Sequence, residues 1–182
     1  MMLGLKRGTV SLQPHQEVWH AIAAETVDDF CVILGSAAID IQHVGGTAIR
    51  GIHAKPIIDI AVGMADLDDT TQYRVLLEQN GFIFRGSDVP GQLPFVRGDF
   101  ERDTRTHHIH FVQWDSEGWQ DYLNFRDYLN AHPDKAAAYD ALKQQLAVQY
   151  AADRNSYTAG KKALIDQLLS EARAWREKTH GQ

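Results

Sequence analysis

One cysteine, five prolines and no long apolar run in 182 residues already exclude several kinds of protein. Cys31 has no second thiol within the chain, so no disulfide framework supports the fold. No hydrophobic stretch approaches the ~20 residues that a membrane-spanning helix needs. No charged, apolar, small-residue leader opens the sequence either, so a reducing cytoplasm is the expected compartment and no membrane partner is expected. Basic charge is short as well: 18 Lys and Arg stand against 24 Asp and Glu, a formal net charge of −6. Broad nucleic-acid binding relies on many cations neutralising phosphates, so no extended nucleic-acid interface is expected, and room remains only for a local basic pocket. Neither an internal repeat nor a low-complexity segment is present. The length suits one domain with a core of its own.

Hydrophobic spacing predicts a helix from Pro14 that places Val18, Ile22, Val27, Phe30 and Leu34 near one face and stops at Gly35. Ala38 to Val44 alternates like a half-buried strand. PIIDIAV, Pro56 to Val62, is a β-branched run suited to a central strand covered on both faces. Helical spacing returns in LDDTTQYRVLLEQNG, with Asp68, Asp69 or Thr70 in the first turn and Gly81 at the end. GFIFRG and QLPFVRGDF read as strands separated by the turn residues Asp88, Pro90 and Gly91. Thr106 to Trp114 alternates again, putting His108 and His110 on one face while Ile109, Phe111 and Val112 serve the core.

From Ser116 the spacing is helical throughout. SEGWQDYLNFRDYLNAH ends against Pro133, DKAAAYDALKQQLAVQYA carries Leu142 and Leu146, and SYTAGKKALIDQLLSEARAW repeats Leu164, Ile165, Leu168, Ala172 and Trp175. The chain therefore reads as one α+β unit over residues 1–182, sheet-rich over 1–114 and helical over 115–182. No Gly/Ser linker separates the two parts, so the helical part is not expected to fold by itself.

The chemistry concentrates in HVGGTAIRGIHAKPIIDIAV, His43 to Val62. Gly45-Gly46-Thr47 after a strand allows a sharp turn and brings backbone N–H groups and a hydroxyl close to an anion. Taken alone, the same triplet reads first as a strand-to-helix turn needing positive φ. Neither a P-loop nor a dinucleotide fingerprint is present. Asp59 changes the balance, because a carboxylate enclosed by Ile57, Ile58 and Ile60 must pair or bind a cation. Lys55 or Arg50 would serve as a structural partner. A hard cation shared with substrate phosphates is the alternative.

The motif resembles the signature of the GrpB family, in which a His-Ile-Gly-Ser-Thr loop leads to an Ala-Lys-Pro-Ile-Ile-Asp-Ile strand. The similarity continues through His108-Ile109-His110, Phe125-Arg126-Asp127-Tyr128-Leu129, His132-Pro133, Tyr139, Leu142-Lys143, Arg154, Tyr157 and Lys161. Such families resemble the nucleotidyltransferase superfamily that includes DNA polymerase β. The implied fold is a nucleotidyltransferase-like mixed β-sheet with packed helices and a C-terminal helical segment. The resemblance also implies that Gly45, Gly46 and Thr47 hold phosphate and that Asp59 is the first metal carboxylate. Two departures stand out: Gly46 replaces a serine, and Ala61 stands where the second carboxylate of Asp-x-Asp belongs, so a full two-metal clamp is not expected.

His108 and His110 offer substitute ligands. Imidazole favours Zn²⁺, Ni²⁺ or Mn²⁺ over Mg²⁺, so Asp59 with this pair would form a mixed site. A histidine-triad hydrolase would want a third histidine at position 112, where Val112 stands. Arginine suits phosphate, and since Arg126 and Tyr128 do not share a helical face, Arg126 is expected to face the ligand. Lys55 completes the constellation. Arg154, Tyr157 and Lys161 share a face if the last helix starts early enough; by themselves they read as a solvated stripe, and the resemblance raises the alternative of an anion-binding wall. The expectation is a protein that binds a nucleotide or phosphorylated small molecule with a divalent cation, Mg²⁺ or Mn²⁺ first and Zn²⁺ or Ni²⁺ next. Asp59 with His108 or His110 would then carry nucleotidyl transfer. The alternatives are a non-catalytic binding module and a metal-dependent phosphoester hydrolase using the same three residues.

Overall fold

The computed structural model describes residues 3–86 and 89–180, so the turn position Asp88 lies outside the described residues. A two-residue strand β1 (Leu5–Lys6) precedes helix α1 (Val18–Leu34), strands β2 (Ala38–Val44) and β3 (Ile58–Met64), and helix α2 (Thr70–Gln79). Strands β4 (Ile83–Phe84), β5 (Gln92–Arg97), β6 (Thr104–Arg105) and β7 (His107–Gln113) follow, then helices α3 (Glu117–Ala131), α4 (Pro133–Gln149) and α5 (Arg154–His180). The fold is α+β, built on a mixed five-stranded sheet of order β2-β3-β7-β5-β4. Only the β3–β7 pair is parallel in that sheet. A small β1–β6 ladder, not expected from the spacing, pairs Leu5 with Arg105 and Lys6 with Thr104.

The local signals acted largely as their chemistry dictates. Gly35 adopts φ 53 and ends α1, and the Ser116 side chain accepts from the Trp119 N–H to start α3. Asp66 accepts from the Asp68 N–H ahead of α2, so the acids after β3 serve a turn and a helix start. The buried face of α1 is Trp19, Ala23, Thr26, Phe30 and Leu34; Val18 is 44% exposed. That face is rotated from the spacing-based one about the shared Phe30 and Leu34, because Trp19 supplies far more apolar surface to bury than Val18 does.

Alternation in the two central strands sorts the core into two sides. Ile58, Ile60 and Val62 of β3, with Ile109 and Phe111 of β7, pack against Trp19, Phe30 and Leu77 from α1 and α2. Each of the large side chains fully buried there contributes about 1.5–3 kcal/mol. On the opposite side Ala61 and Val112 meet Val44 and Trp119. Asp59 and His108 share that second side, because residues two apart on a strand point the same way. Helix α3 packs on β2, β3 and β7, and α4 and α5 pack on each other and on α3, closing a space over one end of the sheet. Among the described residues, no helix is long and apolar enough to cross a membrane.

Candidate functional site

The loop after β2 is built around a close approach. Val44 pairs with Asp59 across the β2–β3 ladder, and Gly45 then turns with φ 72 directly over the carboxylate. A Cβ on Gly45 would lie 2.6 Å from Asp59 Oδ2, so the position demands glycine on two counts. Gly46 to Ala48 form one 3₁₀ turn. The helix expected to aim its positive end at an anion is thus only three residues long. Thr47 is buried, and its hydroxyl lies 2.9 Å from His43 Nε2 while donating to the Ile57 carbonyl at 3.4 Å. That hydroxyl holds the loop shut; the backbone and the two glycines are what the loop offers a ligand.

Asp59 meets the two histidines from β7. The parallel register sets Asp59 opposite His108 and Ala61 opposite His110. His108 Nδ1 stands 3.4 Å and His110 Nε2 3.3 Å from Asp59 Oδ1, and all three side chains keep some access, at 16%, 22% and 25% exposure for His108, His110 and Asp59. Burial alone would push the carboxyl up, but the imidazole hydrogen bonds outweigh it and hold Asp59 well below the ordinary carboxylate range. Neither Lys55 nor Arg50 pairs with Asp59 among the described residues. Arg50 is exposed and donates its backbone N–H to Asn130.

Facing this acidic end is a basic wall. A cavity of about 500 Å³ is bordered by Gly45, Gly46, Thr47, Asp59, His108 and His110, and also by Lys55, Lys143, Arg154 and Lys161. Helix α5 begins at Arg154, early enough for Arg154, Tyr157 and Lys161 to line one face. Burial and the neighbouring lysines press Lys161 down to about 8, and burial presses Lys143 to about 8 against the pull of Asp140. Lys55 is lowered by burial and by Arg154. Tyr157 carries Lys161 over its ring at 4.4 Å, and burial lifts its hydroxyl to about 12.

One expectation requires correction. Arg126 does not face this cavity: it donates to Asp127 Oδ1, to Gln42 Oε1 and to the His43 carbonyl, and lines a neighbouring hollow with His20 and Arg50. The half-buried acceptors on β2 and α3 hold the guanidinium outside the cavity. Tyr128, the member of the pair left to packing, does pack, against His132 and Trp175, and donates to Glu171. Sequence reasoning missed Lys143, Tyr122 and Tyr139 as cavity residues. A signal existed for Lys143: it falls at helical spacing between Tyr139 and Leu146, so a lysine occupies a buried stripe, where its ammonium reaches the His53 carbonyl and Asp140.

Ala61 is completely buried between Val44, Val112 and Trp119. A second carboxylate there would meet indole, not solvent or ligand. The next position on that face, Gly63, is equally closed, since a Cβ would come within 2.8 Å of Trp114 and 3.1 Å of Trp119.

Residues 9–171, from before α1 into α5, match the family model described as GrpB protein. The chain belongs to the GrpB family. Among its relatives, the glutamate-rich protein GrpB of Alkalihalophilus pseudofirmus is 38% identical over 173 residues, covering 93% of this chain and 99% of that protein. YqkA of Bacillus subtilis is 32% identical over 90% of this chain, which spans only 47% of YqkA's length. The crystal structure of the family member GrpB from Enterococcus faecalis overlays with a TM-score of 0.84 at 28% identity, over 91% of this chain and 99% of that one.

Proposed function

We propose that this GrpB-family protein binds a nucleotide or another phosphorylated small molecule in the cavity between the Gly45–Thr47 loop and α5, with one divalent cation at the Asp59 end. The observation that carries this reading is the division of charge. Four basic side chains and, among the described residues, one carboxylate border the same cavity. Crowded, half-desolvated ammonium groups repel one another, and a phosphate is the ligand class that relieves that cost while using their donors. The volume suits a small molecule.

The donor set fits one ion and not two. Asp59 supplies one carboxylate, and position 61 is closed by Trp119. Mg²⁺ or Mn²⁺ would be held by Asp59 together with ligand phosphate oxygens, and His108 or His110 as a further donor would favour Mn²⁺, Zn²⁺ or Ni²⁺. Such an ion would neutralise phosphate charge and polarise the phosphoryl group.

The protein's own groups supply acid–base chemistry. A neutral imidazole that donates one N–H to Asp59 carries its lone pair on the other ring nitrogen, and the carboxylate fixes that tautomer. His108 or His110 then accepts the proton of an attacking hydroxyl or water. The new P–O bond forms at the α-phosphorus as the bond to the leaving phosphate breaks, that group departing with the electron pair while Arg154 and the lysines stabilise its charge. With water as acceptor the same step is hydrolysis. A non-catalytic binding module is favoured instead by the closure around Ala61.

Calorimetry with nucleoside triphosphates in Mg²⁺ and in Mn²⁺, paired with a phosphate- and pyrophosphate-release assay, tests the reading. Saturable one-site binding is expected, weakened by Lys161→Ala or Arg154→Ala and stripped of its metal dependence by Asp59→Asn. Binding without product selects the module. Absence of binding, or binding indifferent to all three substitutions, refutes the site.

A further inference from the structure

A second set of donor groups lies outside this cavity, at the start of α1. His15, Glu17 and His20 each present a ligand atom within 4.8 Å of the others, and among the described residues this is the one group of three or more His, Cys, Asp or Glu side chains that meets the test. Asp59, His108 and His110 do not. The placement follows from the chain: His15 precedes the helix, Glu17 caps it, and His20 stands in its first turn, three residues on and on the same face as Glu17. Although Glu17 occupies the cap position, its side chain makes no capping hydrogen bond, and at 80% exposure the carboxylate is free to swing.

The imidazoles are the unusual part. The His15 side chain is 11% exposed, yet both of its ring nitrogens are buried without a hydrogen-bond partner, and so is His20 Nε2. Buried polar atoms are nearly always satisfied, and a neutral imidazole must place one N–H and one lone pair. His15 Nε2 comes within 3.5 Å of Glu17 Oε1 without making a hydrogen bond. The ring of His15 is held at right angles to fully buried Trp19, centroids 5.7 Å apart, and lies 5.2 Å from the ring of His20.

We propose that His15, Glu17 and His20 bind one transition-metal ion, best Zn²⁺, at a site separate from Asp59. Two imidazoles and a carboxylate suit Zn²⁺ and not Mg²⁺ or Ca²⁺, and three protein ligands leave a fourth position for water or a ligand group. With Zn–ligand distances of about 2.0–2.2 Å, the ligand atoms must close to roughly 3.4 Å, and the exposed Glu17 is the member able to move. His43 is not a ligand, since its Nε2 contacts the Thr47 hydroxyl. Its ring lies 5.3 Å from that of His20, so the ion would sit one side chain away from the loop that ends β2.

The test uses the full chain, demetallated and carrying His108→Gln and His110→Gln to silence the other imidazole pair. Competition with a chromophoric chelator should show one equivalent of Zn²⁺. Adding His15→Gln or His20→Gln should weaken binding by at least ~10–100-fold, the range already lost when only an outer partner of a ligand is removed. Co²⁺ loaded on the same His108→Gln, His110→Gln protein gives a second readout, in which tetrahedral ligand-field bands that disappear on adding Zn²⁺ are expected. No bound equivalent, affinity unchanged by both substitutions, or an octahedral Co²⁺ spectrum overturns the proposal.

Discussion

Gly45 sits so close over Asp59 that a Cβ on the glycine would lie 2.9 Å from the aspartate's own Cβ and 2.6 Å from its Oδ2. The loop and the carboxylate are therefore one unit, and the acid has room only because Gly45, earlier in the chain, carries no side chain. Gly45→Ala imposes both a left-handed backbone on alanine and this clash. A loss of about 1–3 kcal/mol in urea unfolding is expected, with loss of nucleotide binding. Gly46→Ser is the contrast: its Cβ would meet Ala54 at 3.2 Å and lie 4.0 Å from Lys143 Nζ. It should cost less than ~1 kcal/mol and tighten phosphate binding by adding a hydroxyl donor.

Ala61→Asp restores the missing carboxylate in sequence but not in space. The side chain would enter the apolar contact of Val44, Val112 and Trp119. Stability should fall by about 3–5 kcal/mol, as for an uncompensated buried charge, with no gain in metal-dependent turnover. A stable, activated variant would contradict the closed geometry.

Lys161→Met tests the basic wall through two opposed readouts. Removing a half-desolvated ammonium held down by burial, Lys55 and Lys143 should raise the melting temperature by about 2–4 °C, what ~1 kcal/mol yields at this size. The same change should weaken phosphate-ligand binding. A lowered melting temperature with binding intact would mean that Lys161 is a packing residue.

Lys143 and Lys161 are held near 8, and a bound phosphate would raise both. Binding at pH 8 should therefore take up protons. Titrations in two buffers of different ionisation enthalpy should give different observed heats, and affinity should fall as pH rises above 8. Equal heats would show that the lysines do not contact the ligand.

Acid should destabilise the fold through two other histidines. Burial holds His43 and His107 at about 4, below the unfolded value of 6.5. Between those values the unfolded chain binds more protons, so stability is complete above 6.5 and is lost as pH falls towards 4, on the order of 1–3 kcal/mol per group. His107 is buried beside the Thr26 hydroxyl at 3.2 Å, and His107→Gln should flatten the decline of the urea midpoint between pH 6.5 and 4.5.

Much of this was legible in the chain. The alternation of Ala38–Val44 and the β-branched run around Asp59 marked the two strands that frame the loop, and β2 has the bounds its pattern indicates. Ser116, Pro133 and Gly35 punctuated the helices where their chemistry requires. Less legible was anything that depended on which helix covers which face. Arg126 looked ligand-facing because helical spacing shows which residues share a face but not what that face meets. Lys143 escaped because a lysine on a helix is solvated by default, and only the packing of α4 over the loop buries it. His15 and His20 belong to the opening of α1, where no periodic pattern points to a ligand.

By itself the sequence determined that a glycine-turned loop is followed by a strand carrying one carboxylate, and that two histidines alternate on a later strand, since these rest on backbone periodicity and the special freedom of glycine. Only the tertiary structure decided that β3 and β7 lie parallel in the register that brings Asp59 to His108 and His110, that α4 and α5 set three cations opposite them beside Lys55, and that Trp119 closes position 61. Those outcomes are fixed by long-range burial of apolar faces, which no local spacing encodes.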